Sequence, residues 1–514
     1  MGCWLGIDAG TSGLKALVLE ESGEILAEGY AELDVQFPGP GCAEQRPEDW
    51  WAACKKAVSL ALQGRNIGKE IQAVGFSGQM QGTVFLDGDN RPVRDCLIWM
   101  DQRAVQEVEE IAWKLRAAGL DGMAVTANQC LNTFWAPKIL WMRNNEPEHY
   151  ERIRKIIFPK DYLAFRMTGE LAMEVSDASL SYLLDVPRRK WSDEMFRALD
   201  IPKELVPNRL LESCEVVGTL KKSVAGELGL LEGIPVIAGG GDQTANGVGT
   251  GIIEERVMGA SIGTSAVVFG CSRKPFYDRK QRAIQSLCHS VPDLWSYLGL
   301  SLTAGASLKW VRDVFFAGKK QVWKSAGKNV YDEITRIAAQ ARPGCRGLMF
   351  LPWFNGDSAP NNDPYARACF FGMSLDHGMA ELTRSVLEGV VYSLRETVEV
   401  CREDGREIGT IRVSGGGAKS SLWRQIQADI LKASVVTMKI TEGPAAGAAI
   451  LAAVGSGYFK DVKEGCRALL KTDTVTEPIR EHEKIYEEYF QIYRGMYGCL
   501  REPFAKRAGL INGR

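Results

Sequence analysis

The tripeptide Gly-Thr-Ser stands at 10–12 and again at 263–265, each time between two short β-rich runs. Later in each half a strand-like segment runs into a glycine loop, at 71–82 and at 411–417, the second followed by a helix from about residue 420. This ordered repetition constrains the fold more than any single motif. It predicts two similar α/β domains facing each other across a cleft, each lending one glycine turn to a ligand between them. At 514 residues the chain also exceeds what one hydrophobic core usually serves. The expected division is 1–247 and 248–514.

In chain order, residues 4–8, 14–19 and 24–30 read as an antiparallel meander. Its first turn carries Asp8, Gly10, Thr11, Ser12, Gly13 and Lys15, and hydroxyls with bare backbone N–H groups there suit a phosphate. A Pro/Gly loop at 39–47 leads into a helix over 48–62. Residues 71–76 read as a buried strand delivering Ser77-Gly-Gln-Met-Gln-Gly82, a candidate binding edge beyond a strand's carboxyl end. The run LIWMDQR at 97–103 delivers Trp99, Asp101 and Arg103, the last two either a site pair or a helix-start ion pair. From 106 to 211 the pattern is mainly helical. Strands follow at 256–262, 266–269, 295–300 and 411–413, with helices opening near 303, spanning 380–400, and spanning 420–431. The segment from about 462 is charged and reads as helical packing.

The stretch VIAGGGDQTANGVGTG at 236–251 sets one carboxylate, Asp242, in a glycine run after an apolar strand. Glycine permits positive φ and close backbone approach, so a ligand can come near the main chain there. Two phosphate-type turns, a glycine loop of adenosine size and two carboxylates at strand ends suit phosphoryl transfer, which needs charge neutralisation, alignment and a base. Asp8 is the candidate for holding Mg²⁺ through water, because Mg²⁺ prefers carboxylate plus substrate phosphates. Asp242 is the candidate base. Backbone N–H groups at 10–13 and 263–265 would stabilise the transferring group.

A net charge of −2 offers no basic field for a polyanion, so nucleic acid is not an expected partner. Thirteen cysteines fall without a C-x-x-C pair and four histidines lie far apart, which indicates neither zinc nor a disulfide framework. No basic segment precedes an apolar run at the N-terminus, and the most apolar stretch, 445–454, is about half what a membrane helix needs. A soluble, cytoplasmic protein with no membrane contact is expected. No G-x-G-x-x-G closes a first strand–helix unit, which disfavours a dinucleotide oxidoreductase.

Nine segments together resemble the FGGY carbohydrate kinases, and within them the xylulokinase-like members: LGIDAGTSGLK, GCAEQRPEDWW, GFSGQMQG, IWMDQRA, GGGDQTANGVGTG, SIGTSAVVFG, LTAGASLKWVRD, RVSGGGAKSSLWRQIQADIL and EGPAAGAAILAAVG. The resemblance implies two ribonuclease-H-like (actin-like ATPase) domains flanking a cleft, an ATP–Mg²⁺ donor, and a ketose or polyol acceptor bound mainly by the N-terminal domain. It implies Asp242 as proton acceptor and, with Asp8, as metal site, and Thr11, Ser12 and Lys15 on the phosphates. Met80, Gln81, Asp101, Asp242 and Gln243 would meet the sugar. Gly263 and Thr264 would meet the γ-phosphate side of ATP, with Gly305, Lys309, Gly416 and Ser420 along the nucleotide. D-Xylulose is the expected acceptor, and a homodimer is compatible with the family.

Two departures stand out. Gln81 replaces the usual histidine of the Q-M-H-G motif; it keeps hydrogen-bonding capacity but cannot become a cation near neutral pH. Asn355-Gly-Asp-Ser358 stands where many members carry Gly-Glu-Arg, which leaves Asp357 without an evident partner. Kinases of other ketoses or polyols, and a non-catalytic sugar- or nucleotide-responsive protein on the same scaffold, stay open as alternatives.

Overall fold

Each half of the chain builds one large sheet, and the two sheets share a topology. The structure is a computed structural model and describes residues 2–511. The first sheet contains β1 (Cys3–Ala9), β2 (Gly13–Glu20), β3 (Ile25–Glu32), β4 (Ile71–Gly78), β5 (Val216–Thr219) and β6 (Pro235–Gly241), in the order β5-β6-β4-β1-β2-β3. The second contains β7 (Val257–Ile262), β8 (Ala266–Ser272), β9 (Gln285–Cys288), β10 (Trp295–Ser301), β11 (Thr410–Gly415), β12 (Ser434–Met438) and β13 (Thr472–Thr476), in the order β9-β10-β8-β7-β11-β12-β13.

In both sheets a hairpin continues into an antiparallel third strand on one side. On the other side the first hairpin strand pairs with a parallel crossover strand, β4 beside β1 and β11 beside β7. A second parallel strand and an antiparallel edge strand complete each sheet, β6 and β5 in one, β12 and β13 in the other. The repetition of hairpin, strand and glycine loop in the sequence is thus a repetition in space. The edge strand β13 arises in the tail read as helical; its alternating TDTVT is the strand signal that the surrounding charge obscured.

The helices that position the site are α1 (Pro47–Leu62), α2 (Trp135–Asn145), α3 (Val175–Ala178), α4 (Asp242–Gly249), α5 (Gly305–Val314), α6 (Val330–Ala338), α7 (Met379–Glu403), α8 (Ser421–Leu431) and α9 (Gly443–Gly455). Strand β1, CWLGIDA, is covered on both faces, as its nearly unbroken apolar run requires. One cover is α9, which lies in sequence between β12 and β13 of the second sheet yet packs on the first. A Cβ on Gly6 would sit 1.9 Å from the carbonyl oxygen of Ala445, so glycine in the strand and alanine in the helix let the two backbones touch. Residues of α9 and of the helix Val462–Leu469 therefore complete the first core. Helix α7 centres the second core with Val386, Val390, Leu394 and Val398. No helix among the described residues is long and apolar enough to cross a membrane.

Candidate active site

Asp8 lies near the carboxyl end of β1, in register with Lys15 on β2 and with Ser77 on β4. The Ser77 hydroxyl donates to Asp8 Oδ1 at 2.8 Å. Gly240 of β6 is the next partner of Ser77 across the sheet, and Asp242 follows two residues later at the start of α4. Two carboxylates thus sit at the ends of strands separated by one neighbour. Burial pushes Asp8 up to about 6, with the charge of Glu442 adding to it against the Ser77 hydrogen bond. Burial, then the charge of Asp8, pushes Asp242 up to about 7, against hydrogen bonds from Gln243. Two neighbouring acids held above their ordinary range are short of positive charge. Among the described residues no group of three or more His, Cys, Asp or Glu side chains is placed to hold a metal ion. Such a pair could hold a divalent cation only with water or phosphate completing its ligands.

The turn after β1 is held by a chain of amides. Gln45 Nε2 donates to the Thr11 carbonyl at 2.8 Å, while its Oε1 accepts from Gln79 and Trp50. The Thr11 hydroxyl donates to Gln79 Oε1 at 3.2 Å and accepts the Trp99 indole N–H at 2.8 Å. Ser12 is exposed, and its carbonyl accepts from Tyr30. Trp99 and Gln79 lie in stretches the sequence marks, the 97–103 run and the 77–82 loop, whereas Gln45 is pointed to only by its place inside GCAEQRPEDWW. Lys15 forms an ion pair with Glu442 at 2.6 Å, a second acid beside Asp8 that sequence reasoning also misses.

Met80 is buried against Gly241, where an added Cβ would meet its side-chain atoms at 2.6 Å. The loop carrying Met80 therefore touches the residue that precedes Asp242. Gln81 is half-buried, with φ of 65°. Asp101 is fully enclosed; its carboxylate accepts from the Ala43 N–H at 2.8 Å and from the Arg103 guanidinium, which also reaches Glu44. Both its oxygens accept from protein donors, so Asp101 makes with Arg103 the ion pair that was one of its two expected roles.

In the second half, Gly263, Thr264, Gly305, Lys309, Gly416 and Ser420 surround one cavity of about 360 Å³. The hairpin turn between β7 and β8 is bound to the start of α5: the Gly305 N–H donates to the Gly263 carbonyl, and the Ala304 and Ala306 N–H groups donate to Thr264. A Cβ on Gly305 would lie 2.2 Å from the Gly263 oxygen, so only glycine permits this approach. Ser420 caps α8, accepting the Trp423 N–H. The opposite wall is the first turn of α6, with Asn329, Tyr331, Asp332 and Thr335. Those four lie in, or just before, a helix that no motif in the sequence marks.

A neighbouring cavity of about 540 Å³ shares Gly416 and Lys419 with the first and is lined by Glu442 as well. Through Glu442 the Asp8 hairpin thus borders the same crevice as the glycine loop of the second sheet. Asp357 does find a partner, accepting from Asn361 Nδ2 at 2.6 Å.

Two family models match the chain: the N-terminal domain of the FGGY family of carbohydrate kinases over residues 3–249, and its C-terminal domain over residues 258–456. A xylulose kinase of Staphylococcus epidermidis is 35% identical over 511 residues, covering 99% of each chain. One of Escherichia coli strain K12 is 37% identical over 462 residues, covering 90% of this chain and 92% of the other. The crystal structure of a xyloylose kinase from Brucella ovis superposes with a TM-score of 0.87 at 31% identity, covering 97% of this chain and 99% of that one. With two like-built sheets, paired strand-end acids and a matching domain in each half, the chain belongs to the FGGY family of carbohydrate kinases.

Proposed function

We propose that the protein transfers the γ-phosphoryl group of ATP to a hydroxyl of a ketopentose, turning D-xylulose into D-xylulose 5-phosphate. The observation that carries this reading is the strand-end pair Asp8 and Asp242, with Asp242 raised to about 7 in a chain similar over nearly its whole length to proteins named xylulose kinases. An acid poised near neutrality is matched to accept a hydroxyl proton as the phosphoryl group arrives. On this reading residues 1–247 carry the sugar and the base, residues 248–514 carry the nucleotide, and α9 returns to support the first sheet.

Met80, Gln81 and Gln243 border the sugar. Thr11, Ser12 and Lys15 face the phosphates from one side, Gly263 and Thr264 from the other, and Gly305, Lys309, Gly416 and Ser420 flank the nucleoside. Asp8, through water, and Asp242 would hold Mg²⁺, which when bound neutralises phosphate charge. Closure of the two halves would exclude water and limit ATP hydrolysis.

Gln81 favours a second reading, a kinase of another ketose or polyol, because a glutamine amide reads a hydroxyl without carrying charge. A coupled assay of ADP release with D-xylulose, D-ribulose, L-xylulose, erythritol and glycerol decides between them. Highest kcat/KM with D-xylulose is the expected outcome; a higher value with another acceptor replaces the substrate, and no sugar-stimulated release with any of them removes the kinase reading.

A further inference from the structure

Lys138 lies in the first turn of α2 and is fully buried. A lone lysine ammonium in such a place is costly unless its three donors are satisfied. Here all three go to backbone carbonyls: Gln81 at 2.9 Å, Leu97 at 3.2 Å and Ile98 at 2.9 Å. Those carbonyls belong to two different segments. Gln81 sits in the loop after β4, held in the left-handed region with φ of 65°, a conformation that persists in a non-glycine residue only where its surroundings impose it. Leu97 and Ile98 immediately precede Trp99, whose indole reaches the Thr11 hydroxyl. The same helix turn also takes the Gly82 carbonyl through the Trp135 indole at 2.9 Å.

One buried cation therefore fixes, at once, the segment that presents Met80 and Gln81 and the segment that presents Trp99. We propose that Lys138 is a positioning residue for the acceptor sugar: its ammonium sets the mutual placement of the 79–82 loop and the 97–99 segment, and so sets sugar affinity without touching sugar or nucleotide. The inference rests on the reading that the 79–82 loop, with Met80 and Gln81, borders the acceptor.

A methionine of similar shape would fill the space but bind none of the carbonyls. Burial lowers Lys138 to about 8, against the charge of Asp101 and reinforced by that of Arg103, while the buried Cys96 thiol, itself pushed up to about 12, stays neutral there. The carboxylates of Glu107 and Glu110, on the helix packed beside α2, engage Asn144 and Arg143 instead. Deprotonation leaves two N–H donors for three carbonyls and turns a lone pair toward one of them. The clamp thus weakens as pH rises through that range.

The test measures KM for the acceptor and for ATP, with kcat, from about pH 6.5 to about pH 9.5 for the wild type, Lys138→Met and Lys138→Arg, with thermal melts as a folding check. In the wild type the acceptor KM rises above about pH 8 while the ATP KM does not follow. Lys138→Met raises the acceptor KM about tenfold at neutral pH, keeps kcat within about threefold, and loses the alkaline rise. Lys138→Arg, which stays charged, restores part of the affinity and also lacks the rise. A folded Lys138→Met with wild-type acceptor KM overturns the inference, as does an unchanged alkaline rise in that variant or an ATP KM that increases in step. Should neither variant fold, a wild-type acceptor KM that is flat through this pH range overturns it equally. A wild type with no acceptor-stimulated turnover overturns the sugar reading itself and this inference with it, whereas an active wild type with an indifferent Lys138 overturns the inference alone.

Discussion

The Lys15 ammonium lies 2.6 Å from the Glu442 carboxylate, which joins the hairpin of the first sheet to the residue that precedes α9 from the other half of the chain. Glu442 also raises Asp8's affinity for a proton, while Lys15 lowers it. A half-exposed pair of this kind contributes about 0–1 kcal/mol to stability, so its consequence is electrostatic and local. Glu442→Gln removes one negative charge from the crevice and frees Lys15 for an anion. The expected result is an ATP KM lower by about two- to fivefold, an advantage that shrinks at high salt, with little change in melting temperature. Initial rates at two ionic strengths check it, and an unchanged or higher ATP KM rejects this role for the pair.

Asp242 starts α4 directly after Gly241, which is pinned between Met80 and the Ser176 hydroxyl, the latter accepting the Gly241 N–H at 3.1 Å. The carboxylate is thus placed by packing on both sides of one glycine. Asp242→Asn keeps the shape and removes the base. It should lower kcat by at least about 10²-fold with the acceptor KM within about threefold. Wild-type kcat in a folded Asp242→Asn protein would falsify the assignment of the base.

Much of this arrangement was legible in the sequence because it is built from local signals. Short β-rich runs around Gly-Thr-Ser turns declare hairpins, and a strand entering a glycine loop declares a sheet's carboxyl edge. What was not legible depends on tertiary placement. The run GPAAGAAILAAVG announces close helix contact, but nothing in it says that its partner is β1 rather than the adjacent β12. Tyr331 and Asp332 carry no motif that marks them, and only the fold sets them beside the cavity. Asp101 and Arg103 read as a site pair or an ion pair, and only the fold shows that they meet each other and the Ala43 N–H.

The contact between Gly305 and Gly263 ties the start of α5 to the hairpin turn. Gly305→Ala forces a Cβ against a carbonyl oxygen 2.2 Å away, so α5 or the hairpin turn must move. Both line the cavity assigned to the nucleotide. The ATP KM should rise by at least about tenfold while the acceptor KM changes little, because the acceptor segments lie on the first sheet. Equal loss for both substrates, or for neither, would show that the turn is not part of the nucleotide wall.

Gly-Asp-Ser at 356–358, in place of Gly-Glu-Arg, sets a buried acid beside Glu396 and so makes stability depend on pH. Burial lifts Asp357 to about 6, with the charge of Asp363 adding to it, and burial, then the charge of Asp357, lifts Glu396 well above the usual carboxylate range. Glu396 Oε2 has no hydrogen-bond partner among the described residues. A carboxyl whose folded pKa is raised contributes fully below its unfolded pKa, near 4.5 for glutamate, and that contribution is lost as pH rises through the folded value. The wild type should therefore lose melting temperature on going from about pH 5 to about pH 8, at about 1.4 kcal/mol for each pH unit crossed between the unfolded and folded values. Glu396→Gln supplies a neutral side chain of the same shape and removes the acid that must stay protonated. Its melting temperature should match the wild type near pH 5 and exceed it by a few degrees near pH 8, giving a flatter curve. Calorimetry across that range decides: parallel curves for the two proteins would mean that this acid pair is ionised and compensated in the fold, contrary to its geometry.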